Sequence, residues 1–429
     1  MKAMRAYPAY RECDTGWCTR VPEHWRVEPI SKLFVQRSVL VNDRDFPPLS
    51  VTREGLVPQL EGVAKTENGD ARKLVRKGEF AINSRSDRKG SSGIADRDGS
   101  VAGITTVITP RGMDPGYVHY ALRSQQFQEE YYRFGSGIVS DLWSTRWPAM
   151  KAIRVPVPPQ VEQEAIASFL TREATSIDSS VRDQEELVRL LAERRAAAIS
   201  HAVSRGFDSN ASMRESGAAW FGEVPEHWTL TRFPFAVDYC EGPGIGAIDF
   251  REQGVPLLRV AGVRERFATL NGCNFLDPDM VLLRWRRFQI NPKDLLVSAS
   301  ASMGMVSEAS EEVVGAVPYT GIIRMAPRPG TYRDFLRFFL QSAAFVTQID
   351  RLKTGSTIKH YGPEHLRQMY IALPPEPEQH AIAARLAQET SEIDAVNFDA
   401  RAAIRLSREH RAALISAAVT GEIDLREAH

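Results

Sequence analysis

The sequence Val21-Pro22-Glu23-His24-Trp25 occurs a second time, as Val224-Pro225-Glu226-His227-Trp228. Arg11-Glu12 recurs at the same shift of 203 residues, as Arg214-Glu215, and the match needs no gap. Self-similarity at a fixed shift is the signature of a structural unit that is present more than once. The chain is therefore predicted to consist of two related halves.

A longer segment is also duplicated, from residues 157–208 to residues 373–424, at a constant shift of 216 residues without a gap. Each copy begins with a Pro-Pro pair and carries Glu-Gln a few residues later, as Glu162-Gln163 and Glu378-Gln379. The middles of the two halves differ far more, since the second has gained about fifteen residues. Surface loops tolerate insertions that a scaffold does not, so the pattern favours one scaffold carrying two different recognition surfaces.

Both duplicated segments have the pattern of long helices. Residues 160–203 and 376–419 contain no Gly, and no Pro beyond the first turn. Apolar residues recur at spacings of three and four on one stripe, and Gln184, Arg195, Asn397 and Arg411 interrupt it. Such stripes bury best against each other, which predicts a two-helix coiled coil about 60 Å long. A packing or dimerisation hairpin explains the periodicity as well.

The globular middles contain short candidate strands bounded by Gly, Pro, Asn and Asp. One helix is predicted to follow the strands in each half, at residues 115–134 and 332–352, from apolar residues on one face. The predicted fold class is α+β, with two mixed α/β domains of related fold and two long helices between them.

Composition limits the function classes. The chain of 429 residues has 54 basic and 54 acidic residues, so a nucleic-acid surface must be a local patch or be completed by partners. No apolar run approaches the roughly 20 residues of a membrane helix, and the polar N-terminus lacks a signal-peptide core. The four cysteines lack metal-ligand spacing. We therefore expect a soluble, cytoplasmic protein with reduced thiols and no metal site.

Common catalytic motifs are missing from the sequence. It contains no GxxxxGK[ST], HExxH or GxSxG pattern, and no Asn-Pro-Pro-aromatic or Asp-Pro-Pro-aromatic motif of adenine methyltransferases. His24 and His227 lie within the repeated Pro-Glu-His-Trp, where packing at the start of each half is favoured over catalysis. The chain is therefore not expected to be an enzyme or to bind a cofactor itself.

A basic loop in the first half is the first candidate recognition surface. Residues 72–89 carry an excess of five positive charges, and the loop mixes Arg and Asn with small hydroxyl residues. Arg and Asn can read base edges, whereas Ser can hold phosphates. We predict DNA contacts from Asn83, Ser84, Arg85, Arg88, Lys89 and Ser91, and from Arg284, Arg286, Arg287, Ser300 and Ser302 in the second half. A solvated run of charge explains either patch alone.

A second candidate surface follows the predicted helix of each globular middle. Residues 135–146 and 353–361 both combine glycines, hydroxyls, aromatics and cations, which suits a nucleic-acid groove or an ordinary loop. The predicted contact residues are Ser140, Trp143, Arg146, Lys353, Thr354, Lys359 and His360.

The twice-repeated motifs resemble the specificity subunits of type I restriction-modification systems. The resemblance rests on Arg214-Glu215-Ser216-Gly217 followed by residues 220–228, on Pro-Pro-x-x-Glu-Gln, and on Arg-x-Ala-x-Ile-Ser-x-Ala-Val at the end of each helix. It covers essentially the whole chain. It implies target recognition domains at residues 1–156 and 206–372, and antiparallel spacer helices at residues 157–205 and 373–429.

The resemblance also implies the partners and the chemistry. The two domains would read the halves of a split double-stranded DNA site, and the helices would dock two methyltransferase subunits, with Glu162, Gln163, Glu378 and Gln379 as docking residues. Restriction and translocase subunits would complete the complex. S-adenosylmethionine, ATP and magnesium would then belong to those partners. Two alternatives remain: a specificity subunit of another methyltransferase system, and a coiled-coil adaptor with protein-binding domains.

Overall fold

The structure, a computed structural model, describes residues 5–13, 15–59, 71–138, 143–218, 220–299, 305–352 and 361–427. Its contacts divide the chain into two units. Unit 1 comprises Met1–Glu185 and Arg401–His429, and unit 2 comprises Glu186–Ala400. Within the described ranges, no helix is long and apolar enough to cross a membrane. Each unit holds one globular region and one part of each long helix.

The two long helices predicted from the duplicated segments are confirmed. The first long helix is Gln160–Arg205 and the second long helix is Glu376–Thr420. In unit 1, Asp178 pairs with Arg411 at 3.0 Å and Glu185 pairs with Arg408. The later residue of the first long helix thus pairs with the earlier residue of the second. The two helices therefore run antiparallel.

The arginines that interrupt the apolar stripe pair with the opposite helix. Arg411 bonds Asp178 in unit 1, and Arg195 bonds Asp394 at 3.1 Å in unit 2. These pairs are equivalent under the shift of 216 residues, because Asp178 corresponds to Asp394 and Arg195 to Arg411. All four side chains are partly exposed, so each pair contributes little to stability and mainly fixes the register of the helices.

Unit 1 contains mainly antiparallel sheets. A four-stranded sheet has the order Ser92–Ile94, Phe80–Asn83, Thr105–Pro110, Phe34–Arg37, and a three-stranded sheet has the order Gly99–Val101, Arg72–Val75, Leu40–Val41. Further strand pairs among the described residues are Tyr10–Glu12 with Arg20–Pro22, Arg26–Pro29 with Arg154–Val157, and Leu49–Thr52 with Gly55–Pro58.

Unit 2 repeats the central sheet of unit 1. Its four-stranded sheet has the order Val306–Glu308, Leu295–Ser298, Ile322–Pro327, Val237–Glu241. A second sheet has the order Phe250–Arg251, Asn274–Leu276, Val255–Leu258, Val317–Pro318, and its last pair is parallel. Met213–Glu215 pairs with Glu223–Pro225, and Thr229–Arg232 pairs with Tyr370–Leu373. The shared order of the central sheets identifies the two globular regions as related folds.

The single helix predicted in each globular region is wrong, because two shorter helices take its place. They are Pro115–Ala121 and Gln125–Arg133 in unit 1, and Arg333–Gln341 and Ala343–Leu352 in unit 2. The breaks occur at equivalent serines. The hydroxyl oxygens of Ser124 and Ser342 accept hydrogen bonds from the backbone N–H of Phe127 and Phe345. A serine that caps the next helix in this way competes with helix continuation.

The remaining helical elements are single turns that connect strands. The α-helical turns are Ile30–Leu33, Trp147–Met150, Phe233–Ala236, Pro278–Met280 and Pro363–Leu366. The 3-10 turns are Ser86–Arg88, Ala247–Asp249, Val260–Gly262, Arg286–Phe288 and Glu311–Val313, and Val281–Trp285 is a π-helical turn.

The main core of each unit joins its globular region to both long helices. In unit 1, Trp25 and Tyr117 share a buried cluster with Leu170 of the first long helix and Leu414 of the second. In unit 2, Trp228 and Phe335 share one with Ile199 and Leu386, among others. Burial of these large side chains is the main force that holds the globular regions on the helices.

Each long helix ends at a glycine that contacts the tryptophan of the repeated Val-Pro-Glu-His-Trp motif. Gly421 has a φ of +76°, and a Cβ there would lie 2.4 Å from Pro22 and 3.2 Å from the Trp25 ring. Gly206 has a φ of +72°, and a Cβ there would lie 3.3 Å from Trp228. Glycine adopts this left-handed conformation without the strain that a side chain brings. The motif therefore packs against a helix end in each unit.

Substitution of Gly421 tests this close packing. We expect Gly421→Ala to lower the free energy of unfolding of unit 1 by about 2–4 kcal/mol, since left-handed strain adds to the clash with Pro22. Gly112→Ala is the matched control, because Gly112 has a φ of +66° and open space around it. Urea unfolding would measure both. Equal losses in the two variants would contradict the packing argument.

Candidate nucleic-acid interface

The structure joins the two predicted recognition surfaces of unit 1. The backbone N–H of Thr145 donates to the Ser84 carbonyl at 2.9 Å, and Arg85 and Ser144 form an antiparallel bridge. The Tyr131 hydroxyl donates to the Thr145 carbonyl at 2.6 Å. A small depression is consequently lined by residues of both loops. Asn83, Ser84, Arg85, Lys89 and Trp143 are among them.

Exposure divides the predicted contact residues of unit 1 into two groups. Ser84 and Ser91 are buried, and the Ser84 hydroxyl donates to the Ile104 carbonyl at 2.6 Å. Those two serines hold the loop in place and offer little surface to a ligand. Asn83 and Trp143 are half-buried, whereas the remaining predicted cations, Arg85, Arg88, Lys89 and Arg146, are exposed. Ser140 lies outside the described residues.

The exposed cations are weakly held within unit 1. Arg85 and Arg88 share one carboxylate, that of Asp87, each at 3.7 Å. The Lys89 ammonium lies 5.1 Å from the centre of the Tyr132 ring, and the indole N–H of Trp143 donates to the Tyr132 carbonyl. Interactions of exposed charges at these distances contribute little free energy in water. These side chains therefore remain available to an anionic partner.

Part of the basic run is inside the fold. The Arg72 guanidinium donates to the hydroxyl and the carbonyl of Ser100, each at 2.9 Å, and the Lys73 ammonium donates to the Thr105 carbonyl at 2.7 Å. Burial lowers the pKa of both Arg72 and Lys73. The local charge excess counted from the sequence therefore overstates the charge that reaches the surface.

The predicted residues of unit 2 are divided between two places. Arg284, Arg286 and Arg287 are exposed and line a groove together with Arg324, which sequence reasoning missed. The only signal for Arg324 in the sequence is that it is a single cation within the otherwise apolar strand Ile322–Pro327. Its Nη1 donates to Asp294 at 3.2 Å. This arginine groove is formed by the residues around the π-helical turn.

The second predicted surface of unit 2 is described only at its edge. The Tyr361 N–H donates to the Ala299 carbonyl at 3.1 Å and its hydroxyl to the Ser298 carbonyl at 3.3 Å. Tyr361 thus joins the end of a central strand, as Thr145 does in unit 1. Ser300, Ser302, Lys353, Thr354, Lys359 and His360 lie outside the described residues.

The four predicted docking residues are bonded within their own units. Glu162 accepts hydrogen bonds from the Tyr7 hydroxyl at 3.0 Å and from the Trp25 indole at 2.9 Å, and lies 2.6 Å from His24 Nε2. Burial, followed by the charge of Glu162, raises the pKa of Tyr7 far above its usual value, so the hydroxyl stays protonated and donates. Glu162 therefore joins the start of the first long helix to the repeated motif.

Glu378 forms the equivalent contacts in unit 2. It accepts a hydrogen bond from the Trp228 indole at 3.1 Å and lies 2.8 Å from His227 Nε2. Asn210 takes the sequence position of Tyr7 under the repeat, and no tyrosine bonds Glu378 among the described residues. The Glu378 side chain is 28% exposed, against 9% for Glu162.

The adjacent glutamines join each helix start to the globular region. Gln163 accepts from the Asp114 N–H at 2.9 Å and donates to the Pro158 carbonyl at 2.9 Å. Gln379 accepts from the Tyr332 N–H at 2.7 Å and donates to the Pro374 carbonyl at 2.9 Å. Both glutamines are buried. The Glu-Gln pair therefore joins each long helix to its globular region, and docking of a methyltransferase by these residues stays a prediction.

In the described part of the chain, no group of three or more His, Cys, Asp or Glu is placed to hold a metal ion, and the four cysteines carry free thiols.

Comparisons with known proteins agree with this architecture. The model of the type I restriction modification DNA specificity domain matches residues 284–401. The MjaVIII type I restriction enzyme specificity subunit of Methanocaldococcus jannaschii is 22% identical over 282 residues, 64% of this chain and 63% of the relative. The EcoBI specificity subunit of Escherichia coli is 21% identical over 63% of this chain and 58% of its own length. Over these regions the chain is similar to type I specificity subunits.

Solved structures share the fold of this chain. A chain from a study of complex assembly and conformational transition of the type I R-M system has a TM-score of 0.73 at 15% identity, covering 94% of this chain and 99% of that one. The HsdS subunit of Thermoanaerobacter tengcongensis has a TM-score of 0.50 at 16% identity, with coverage of 94% and 98%. The curated relatives named above are matched over less than two thirds of their own length.

The repeat supplies a matched test of the buried glutamate. We expect Glu162→Gln to lower the free energy of unfolding of unit 1 by about 2 kcal/mol, because the amide nitrogen would face N–H and O–H donors. Glu378→Gln makes the same isosteric change where the side chain is more exposed, and we expect a loss below about 1 kcal/mol. Hydrogen exchange at Tyr10–Glu12 and Met213–Glu215 would report each unit. A larger loss for Glu378→Gln would contradict this assignment.

Proposed function

We propose that this chain is a specificity subunit that reads a split double-stranded DNA sequence, with one half-site bound by each globular region. The observation that carries the proposal is that one scaffold occurs twice and that its two copies expose different side chains. Both units have the same central strand order and the same Glu-Trp contact. Their exposed cations nevertheless stand on different elements, the loop around Arg85 in unit 1 and the turn around Arg286 in unit 2. The similarity to the MjaVIII and EcoBI specificity subunits supports the same role.

Contacts with DNA follow from the side chains that are exposed. Arg85, Arg88, Lys89 and Arg146 in unit 1 would hold phosphates or guanine edges, and the half-buried Asn83 beside them would read adenine. Arg284, Arg286 and Arg287 would do the same for unit 2. These positive groups supply a local attraction for the polyanion even though the formal net charge of the chain is zero.

The chemistry of the complex belongs to its other subunits in this proposal. Two methyltransferase subunits would bind S-adenosylmethionine, and restriction and translocase subunits would use ATP and magnesium. This chain would bind no cofactor and catalyse no step. Residues 1–156 and 206–372 would read DNA, and residues 157–205 and 373–429 would dock the methyltransferases through exposed helix surface in the cytoplasm.

Sequencing of N6-methyladenine tests this function directly. A host that carries this gene with its neighbouring methyltransferase gene would be compared with a host that lacks only this gene. We expect a split, asymmetric methylation motif that disappears on deletion. Unchanged methylation, or a continuous motif that is indifferent to spacer length, would overturn the proposal. Binding of proteins without sequence-selective DNA binding would favour the coiled-coil adaptor.

The salt dependence of binding tests the assignment of Arg88. We expect Arg88→Gln to weaken binding of the assembled methyltransferase to all duplexes alike, and to reduce the slope of log K against log salt by about 0.9, the loss of one phosphate contact. Arg97→Gln is the control, because Arg97 is also exposed in unit 1 but is paired with Asp96 at 2.8 Å. The same change of slope in both variants would contradict the assignment.

A further inference from the structure

Two adjacent leucines of unit 2 are exposed on a turn whose other apolar residues are buried. Val281 and Trp285 begin and end the π-helical turn, and both join a small core that includes Leu276. Leu282 is 63% exposed and Leu283 is 80% exposed. Because the turn is anchored from below by Val281 and Trp285, the two leucines are held outward by the fold.

The leucines stand among positive charges. They line the arginine groove together with Arg284, Arg286, Arg287 and Arg324, and the other lining residues within the described ranges are amides. Arg324 is bonded to Asp294, and Arg287 lies 4.6 Å from the Phe288 ring centre. The charged side chains that line the groove are therefore all cationic among the described residues.

This combination has the chemistry of a nucleic-acid wedge. A single exposed leucine is ordinary on a protein surface. A rigid apolar pair surrounded by guanidinium groups, however, suits a partner that offers both negative charge and an apolar environment. Proteins that deform DNA hold phosphates with Arg or Lys and insert Leu, Ile or Phe between base pairs, where the apolar side chain leaves water. Charge complementarity thus favours double-stranded DNA as the occupant of this groove.

We propose that Leu282 and Leu283 form an apolar wedge that opens one base step beside the half-site bound by unit 2, while Arg284, Arg286 and Arg287 hold the flanking phosphates. The inference rests on the proposed function and adds a mode of recognition to it. The wedge makes no hydrogen bond to a base edge. It would favour flexible pyrimidine–purine steps at its position, because these steps unstack at the lowest energetic cost.

The test uses the subunit assembled with its methyltransferase and a duplex that contains the motif found by methylation sequencing. Wild type, Leu282→Ser/Leu283→Ser, and Leu282→Met/Leu283→Met would be compared. Leu40→Ser is the matched control, because Leu40 is 62% exposed and lies in unit 1. The duplexes would carry 2-aminopurine at single positions of this half-site and its flanks, but never at the methylated adenine, whose flipping would give its own signal.

We expect wild type to raise 2-aminopurine fluorescence at one step and the double serine variant to lose that signal and bind about tenfold more weakly, as expected from the loss of apolar burial. The double methionine variant should restore both, and Leu40→Ser should change neither. Arg284→Gln/Arg286→Gln should instead lower the salt slope by about 1.8, or roughly 0.9 for each phosphate contact. Since the leucines are exposed, none of these changes removes a core residue.

Three results would overturn the wedge. Equal binding and equal fluorescence in wild type and the double serine variant would refute the wedge alone and leave the proposed function standing. Weaker assembly of the double serine variant with the methyltransferase, with unchanged DNA affinity of the complex that does form, would identify the leucines as a protein interface. Absence of selective duplex binding by the wild-type complex would refute the proposed function together with the wedge.

Discussion

The hydrogen bond from a tryptophan indole to a glutamate at the start of a long helix is the contact on which each unit depends. Trp25 donates to Glu162 in unit 1, and Trp228 donates to Glu378 in unit 2. A carboxylate removed from water is costly unless donors surround it, so the glutamate fixes the motif against the helix. The same tryptophan contacts the glycine that ends the other long helix. Each motif thereby joins the start of one long helix and the end of the other to one globular region.

This arrangement separates the scaffold from the recognition surfaces. The contacts made by Glu162, Gln163 and their equivalents are repeated because the repeat preserves their side chains, and they leave the loops unconstrained. In unit 1, the loop after Phe80–Asn83 is joined to the segment before Trp147–Met150. In unit 2, arginines project from a turn that has a core of its own. One scaffold can therefore carry different surface chemistry in its two copies.

Basic side chains either bond within the fold or face solvent in this protein, and burial decides which. Arg72 and Lys73 are used within the sheet, where carbonyl and hydroxyl oxygens satisfy them. Arg85 and Arg88 share one carboxylate at the surface. A formal net charge of zero is therefore compatible with local positive potential, because the fold chooses which charges face solvent.

The sequence by itself determined the duplication, the bounds of the long helices and the α+β class, because a gap-free repeat and helical periodicity are local patterns. The breaks at Ser124 and Ser342 were missed, although capping by serine is local chemistry that the sequence carries. Only the tertiary structure decided that Ser84, Ser91 and Gln163 are buried and that Arg324 joins Arg284. Burial and long-range proximity depend on how strands pair across many residues, and composition carries no record of that pairing.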